Sequence, residues 1–255
     1  ELLLVDQNKH LEVTREALAF QKKLKHKPSN LKPQESCLLE VRDLHLRIED
    51  RWLARDLSFS LSKGEFIGII GSSGSGKTTL LRAINGETKA ESGNIKIGAE
   101  SKLPVGMIHQ DLELAEGSTA LNNALSGSLL RHAWTDTLFG FPKEEKEHAV
   151  ELHKHLVLPE SQPGALDPAR GERQRLAIVR TLLAEPLILL ADEPVASLDS
   201  DWAIKTLDLL KDFAKQKQAG VICSLHDPKQ VEEFSDKVIR IDSTNPEQWK
   251  VEELS

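Results

Sequence analysis

Residues 66–78 constrain the chain more than any other stretch. The apolar run Phe66-Ile67-Gly68-Ile69-Ile70 passes without a break into Gly71-Ser72-Ser73-Gly74-Ser75-Gly76-Lys77-Thr78, and then into a helical stretch over 78–85. The loop matches G-x-x-x-x-G-K-[ST] in full, in the setting of strand before and helix after that the motif requires. Its glycines let backbone N–H groups curl around phosphate oxygens without Cβ obstruction, and the helix N-terminus adds a favourable dipole. Lys77 is placed to reach the outer phosphates, and Thr78 to offer a hydroxyl to Mg²⁺. Gly71, Ser72, Ser73, Gly74, Ser75, Gly76, Lys77, Thr78 and the adjoining Thr79 are the expected phosphate-binding set.

A continuous apolar strand of this kind suits a sheet buried on both faces, and the rest of the chain supplies its neighbours. Further runs at 187–190, 221–224 and 238–241 are separated by amphipathic stretches such as 202–217, where Ile204, Leu207 and Leu210 recur. Strands alternating with helices in this way imply an α/β fold with a mostly parallel sheet. From Leu38 the pattern is different: Leu44, Leu46 and Ile48 alternate on one face, and Phe59 and Leu61 lead to a turn at Lys63-Gly64, as in antiparallel strands. Between Gln110 and Asp167 the strand signal disappears, and 143–157 reads as helical, so an inserted helical subdomain is expected over about 111–184. Residues 1–37 stand apart as an N-terminal extension. They hold the apolar positions Leu11, Ala17, Leu18 and Leu24, a basic run over 22–27, and a breaker segment with Pro28 and Pro33. A short helix plus linker and a solvated extension both fit them.

Composition narrows the function classes. The chain of 255 residues carries 33 Lys and Arg against 40 Asp and Glu, a formal net charge of −7, which argues against a partner that is a nucleic-acid backbone or an anionic lipid surface. No apolar run approaches the length of a spanning helix. The two cysteines, Cys37 and Cys223, have neither metal-ligand nor disulfide spacing, so a reducing cytoplasm is the expected setting. His148, His153 and His155 lack the i, i+4 pairing of a helical metal site. The chain begins at Glu1 and its single Met is Met107, so a trimmed gene product is expected.

A second chemical signal is the run Leu187-Ile188-Leu189-Leu190-Ala191-Asp192-Glu193, a buried strand ending in two acids. A carboxylate at such a tip, beside the phosphate loop, is where Mg²⁺ needs a partner. Asp192 is the candidate for that role, and Glu193 would face the γ-phosphate and polarise the attacking water.

With these signals in place, the chain resembles the ATP-binding cassette family over about residues 38–241. Gln110, after the strand-like 105–108, matches the family's Q-loop glutamine, which senses Mg²⁺ and links core to helical subdomain. Ser197-Leu198-Asp199 matches the D-loop that crosses to a partner subunit, and His226 in Ser224-Leu225-His226-Asp227 matches the switch histidine that holds the γ-phosphate. The resemblance implies a P-loop NTPase (RecA-like) core with an antiparallel β subdomain and the inserted helical subdomain, all within an ATPase domain over 38–255. It implies ATP and Mg²⁺ as ligands, Glu193, His226 and Gln110 as catalytic residues, and Thr78, Gln110 and Asp192 on the metal. Two such domains would pack head to tail, as a homodimer or a heterodimer, with ATP between the phosphate loop of one and the signature loop of the other. A closer likeness, carried by Gly127-Ser128-Leu129-Leu130-Arg131-His132-Ala133-Trp134 through Glu145 and by 191–199, is to the phosphonate-import ATPases. It implies a motor at the cytoplasmic face of the membrane, working with permease subunits and, through them, a substrate-binding protein.

Two departures from the family bear on activity. The signature loop, normally Leu-Ser-Gly-Gly-Gln or Glu, aligns with Pro168-Ala169-Arg170-Gly171-Glu172. Ala169 lacks the hydroxyl that would bond the partner's γ-phosphate, and Arg170 would either block the sandwich or supply a charge-assisted contact in place of glycine. This opens a competing reading: a weakly hydrolysing or non-hydrolysing subunit that serves as the regulatory half of an asymmetric heterodimer. The family also stacks adenine on an aromatic, often Tyr, and this chain has no Tyr. Ile48 stands near the expected position, and Trp52 either substitutes for the aromatic or packs under the strand pair.

Overall fold

The computed structural model describes residues 37–98, 104–110, 114–115, 118–131, 141–156, 170–241, 245 and 248–254. The expectations for the N-terminal extension before Cys37, and for Pro168 and Ala169, fall outside the described residues. Two sheets carry the fold. In the first, β1 (Cys37–Ile48) lies between β2 (Arg51–Ser62) and β4 (Ser92–Ile97), antiparallel to both. The second has the order β5-β6-β7-β3-β8-β9, built from β3 (Phe66–Ile70), β5 (Val105–Ile108), β6 (Ile188–Asp192), β7 (Gly220–Leu225), β8 (Lys237–Ile241) and β9 (Trp249–Glu253). All its pairings are parallel except β8 with β9.

Side-chain alternation along the parallel strands divides the core in two. Ile67, Ile69, Ile188, Leu190, Ile222 and Ile239 face the antiparallel sheet and helix α1 (Lys77–Ile84), with Leu39, Leu44, Leu61 and Leu80 opposite them. Phe66, Leu189, Ala191, Val221, Cys223 and Val238 face the other way, onto the remaining helices. A sheet covered on both faces needs apolar residues at every position, which is why these strands read as unbroken apolar runs. The helices are α2 (Ala120–Ser126), a 3₁₀ turn (Gly127–Arg131), α3 (Lys143–Leu156), α4 (Arg170–Leu183), α5 (Ser200–Lys217) and α6 (Pro228–Phe234). The described part of 111–184 contains helix and no strand. Among the described residues no helix is long and apolar enough to cross a membrane.

Ile48 departs from the alternation expected of it. Leu44 and Leu46 are buried, but Ile48 is 47% exposed, because β1 runs past the edge of the core to its hairpin with β2. Residues 49 and 50 form that turn, with Glu49 in the left-handed region at φ 51°. Ile48 and Arg51 are thereby paired at the hairpin tip, directly above the phosphate loop.

Candidate functional site

The parallel strands deliver the site at their C-terminal ends. β3 runs into the loop 71–76, and two of its glycines are there for backbone reasons: Gly74 and Gly76 have φ 71° and 107°, a region side-chain-bearing residues rarely enter. Gly71 is required by close approach, since a Cβ there would come within 2.8 Å of Ser75 Oγ and 2.9 Å of Ile241 Cβ. Lys77 opens α1 and is 4% exposed. Its ammonium donates to the carbonyl oxygens of Gly71 (2.9 Å) and Ser72 (3.2 Å), and lies 3.9 Å from Glu193 Oε1.

β6 brings the acids to the same place. Asp192 ends the strand and is 2% exposed; its partner in register on β7 is Ser224, whose hydroxyl donates to Asp192 Oδ1 at 2.8 Å. The Glu193 N–H donates to the same Ser224 Oγ at 2.8 Å, and the Glu193 carbonyl accepts from Gln174 Nε2 on α4 at 3.1 Å. Glu193 itself has φ 51°. His226, just past β7, places Nε2 2.6 Å from Glu193 Oε1. Ser73, Gly74, Gly76, Lys77, Thr78, Thr79, Gln110, Glu193 and His226 line one pocket of about 400 Å³ together with Ile48, Glu49, Arg51 and Leu53 of the β1–β2 hairpin. Residues from well-separated stretches of sequence therefore converge on one cleft.

The chemistry of this cleft fits a nucleotide and its metal. Gly74 has no heavy atom within 4 Å of where a Cβ would stand, so the crest of the loop is open to an incoming phosphate. Among the described residues there is no group of three or more His, Cys, Asp or Glu side chains able to hold a metal ion unaided. The Thr78 hydroxyl and the Gln110 amide line the pocket, and Asp192, buried at the end of β6 next to Glu193, adds a carboxylate just outside its lining; all three are hard oxygen donors. That set suits Mg²⁺, which completes its shell with substrate phosphates and water.

Some expected residues lie elsewhere. Trp52 does not line the pocket: alternation along β2 turns it to the face opposite Arg51 and Leu53. There its ring is flanked by the guanidinium groups of Arg55 (4.4 Å) and Arg47 (5.5 Å) and met edge-on by His45. Trp52, expected either to stand in for the adenine-stacking aromatic or to pack under the strand pair, thus lies outside the pocket lining, and Ile48 lies within it. Asp199 caps α5 by accepting from the Trp202 N–H at 3.0 Å and is outside the pocket. Arg170, Gly171 and Glu172 form the first turn of α4; the nearest neighbours of a Cβ on Gly171 include Leu198 Cδ2 (3.6 Å) and Ser197 O (3.7 Å), so signature segment and D-loop segment adjoin. One turn on, Arg175 is 5% exposed and lies over the Trp202 ring at 4.5 Å; burial lowers its pKa, opposed by Glu172 and Asp199. Sequence reasoning misses Ser224 and Gln174 as site residues, although a serine within the apolar strand 220–225 is a visible signal.

Known proteins of one family are similar to the chain in sequence and in fold. The ABC transporter family profile matches residues 54–196. The phosphonates import ATP-binding protein of Halobacterium salinarum is 39% identical over 207 residues, covering 79% of this chain and 74% of the relative. The phosphite import ATP-binding protein of Stutzerimonas stutzeri is 35% identical over 196 residues, covering 72% and 71%. A dimeric bacterial ABC transporter cassette superposes with a TM-score of 0.71 at 24% identity, over 86% of this chain and 99% of the other.

Proposed function

The chain belongs to the ABC transporter family as one of its ATPases, and we propose that it powers uptake of a phosphonate or related phosphorus compound through separate permease subunits. What carries the reading is the convergence of Lys77, Thr78, Gln110, Asp192, Glu193 and His226 on one site, in a chain 34–39% identical to phosphonates and phosphite import ATP-binding proteins.

Each residue then has a physical task. The loop 71–78 cradles the phosphates with backbone N–H groups, and Lys77 places a buried positive charge on the outer phosphates. Thr78, Gln110 and Asp192 would hold Mg²⁺, which would supply positive charge to offset that developing on the phosphates. Glu193 accepts the proton of the attacking water as general base. His226, 2.6 Å from the same carboxylate, orients it and donates to the γ-phosphate. Ile48 covers one face of the base.

A second subunit of the same family would complete the site by supplying its signature loop, and the pair would dock on permeases at the cytoplasmic face of the membrane, fed by a substrate-binding protein. The chain's own signature, Ala169-Arg170-Gly171-Glu172, favours a second reading in which it serves a partner's nucleotide poorly and works as the weakly hydrolysing half of a heterodimer. Deletion of the gene, followed by growth on a phosphonate, phosphite or inorganic phosphate as the single phosphorus source, tests the transport role. Growth should fail on one of the first two and persist on phosphate; full growth on all three contradicts it.

A further inference from the structure

Glu193 adopts a left-handed backbone conformation, φ 51°, which a side-chain-bearing residue seldom takes without outside support. Both of its peptide groups are held. Its N–H donates to Ser224 Oγ at 2.8 Å, and its carbonyl accepts both from Gln174 Nε2 at 3.1 Å and, within the following turn, from the Ala196 N–H at 3.2 Å. Neither holder is a surface group: Ser224 is fully buried and Gln174 is 6% exposed. Neither lines the nucleotide pocket.

We propose that Ser224 and Gln174 are positioning residues for the ATPase reaction, clamping the strained Glu193 backbone so that its carboxylate stays between Lys77 and His226. The inference rests on the assignment of Glu193 as general base. The Ser224 hydroxyl serves both acids at once. It accepts from the Glu193 N–H and donates its own proton to Asp192 Oδ1, so one buried hydroxyl sets the peptide of one acid and the carboxylate rotamer of the other. Gln174 adds a mechanical consequence. It sits one turn into α4, the helix that opens with Arg170-Gly171-Glu172, so the position of that helix is transmitted to the Glu193 carbonyl.

A structural role alone and a positioning role separate in a double-mutant cycle. The variants are Gln174→Met, which keeps the side chain's volume and removes its donor, Ser224→Ala, and Ser224→Thr, which restores the hydroxyl. Each is made in the wild-type chain and on Glu193→Gln, with the full chain throughout. Single-turnover release of phosphate from γ-labelled ATP, ATP affinity and Tm are measured for all. Gln174→Met should lower turnover roughly 10–100-fold, the range for removing a group that orients a reacting residue, with ATP affinity unchanged. On the Glu193→Gln background it should lower turnover no further, because it acts through the residue already removed. Ser224→Ala should lower turnover likewise, and Ser224→Thr should recover most of it. Wild-type turnover in a folded Gln174→Met or Ser224→Ala variant overturns the proposal, as does a loss that repeats in full on the Glu193→Gln background. If Glu193→Gln itself turns over like the wild type, the assignment of the general base fails instead, and the two failures are distinct.

Discussion

Trp249 joins the C-terminal strand to the phosphate loop, and its replacement by Phe gives a prediction with a calculable size. The indole Nε1 donates to the Leu53 carbonyl at 2.7 Å, a bond between residues 196 apart in sequence. On its other side, Trp249 Cζ2 lies 3.2 Å from where a Cβ on Gly76 would stand, so the ring packs against the last glycine of the loop. Trp249 and Leu53 are 9% and 3% exposed, so the carbonyl has little access to water. Trp249→Phe keeps an aromatic ring but deletes the donor, and leaving a buried acceptor without it costs about 1–3 kcal/mol. The smaller ring also leaves a void against Gly76, which adds roughly 1 kcal/mol. A total of about 2–4 kcal/mol, at about 2–4 °C per kcal/mol for a chain of this size, corresponds to a fall in Tm of roughly 4–16 °C. Thermal unfolding of both proteins, with and without ATP, measures it. ATP should also stabilise the variant less than the wild type, because the glycine it relies on has lost its backing. A Tm within about 1 °C of the wild type would refute the reasoning, since a buried bond of this kind does not vanish without a trace.

Three further expectations follow from named contacts. Trp52→Ala should leave the affinities for ATP and GTP unchanged, because the ring lies between Arg55 and Arg47 and outside the pocket, whereas Ile48→Asp should weaken both; titration calorimetry decides, and a loss in Trp52→Ala returns that ring to the site. The Asp208 pKa is raised by burial and by the neighbouring Asp212 and Glu233, so folding disfavours its ionised form and the charge costs stability at neutral pH. Asp208→Asn should therefore raise stability at pH 7 by ~0.3 kcal/mol, the scale of an i, i+4 like-charge pair under solvent screening, and denaturant titrations should show the gain fading as the pH falls through the raised pKa of the folded state and gone by the unfolded carboxylate pKa of about 3.9. Restoring the signature with Ala169→Ser and Arg170→Gly together should raise ATP turnover several-fold in a phosphate-release assay; unchanged turnover would overturn the reading of this signature as defective.

How much of this was legible in the sequence depended on burial. β3, β6 and β7 are covered on both faces, so apolar residues fill them and they announce themselves as unbroken runs. β4 and β9 are edge strands with mostly exposed side chains. β4 opens on Ser92-Gly93-Asn94, and within β9 Trp249 alone is buried, so no apolar period marks either. The phosphate loop was readable residue by residue because backbone geometry dictates its glycines. Trp52 and Ile48 were harder, since the side each presents depends on β-bulges along β1 and on where the core ends, neither of which a local pattern encodes. Ser224 and Gln174 became site residues through register and helix docking, which bring together positions 31 and 19 residues from Glu193.

If Glu193 is the general base of this pocket, ATP turnover and ATP binding should part company in a comparison of the purified wild type with Glu193→Gln. The account predicts that the variant binds ATP as tightly as the wild type while phosphate release falls about 10²–10⁴-fold, the contribution of a general base. Equal turnover in the two proteins would contradict it.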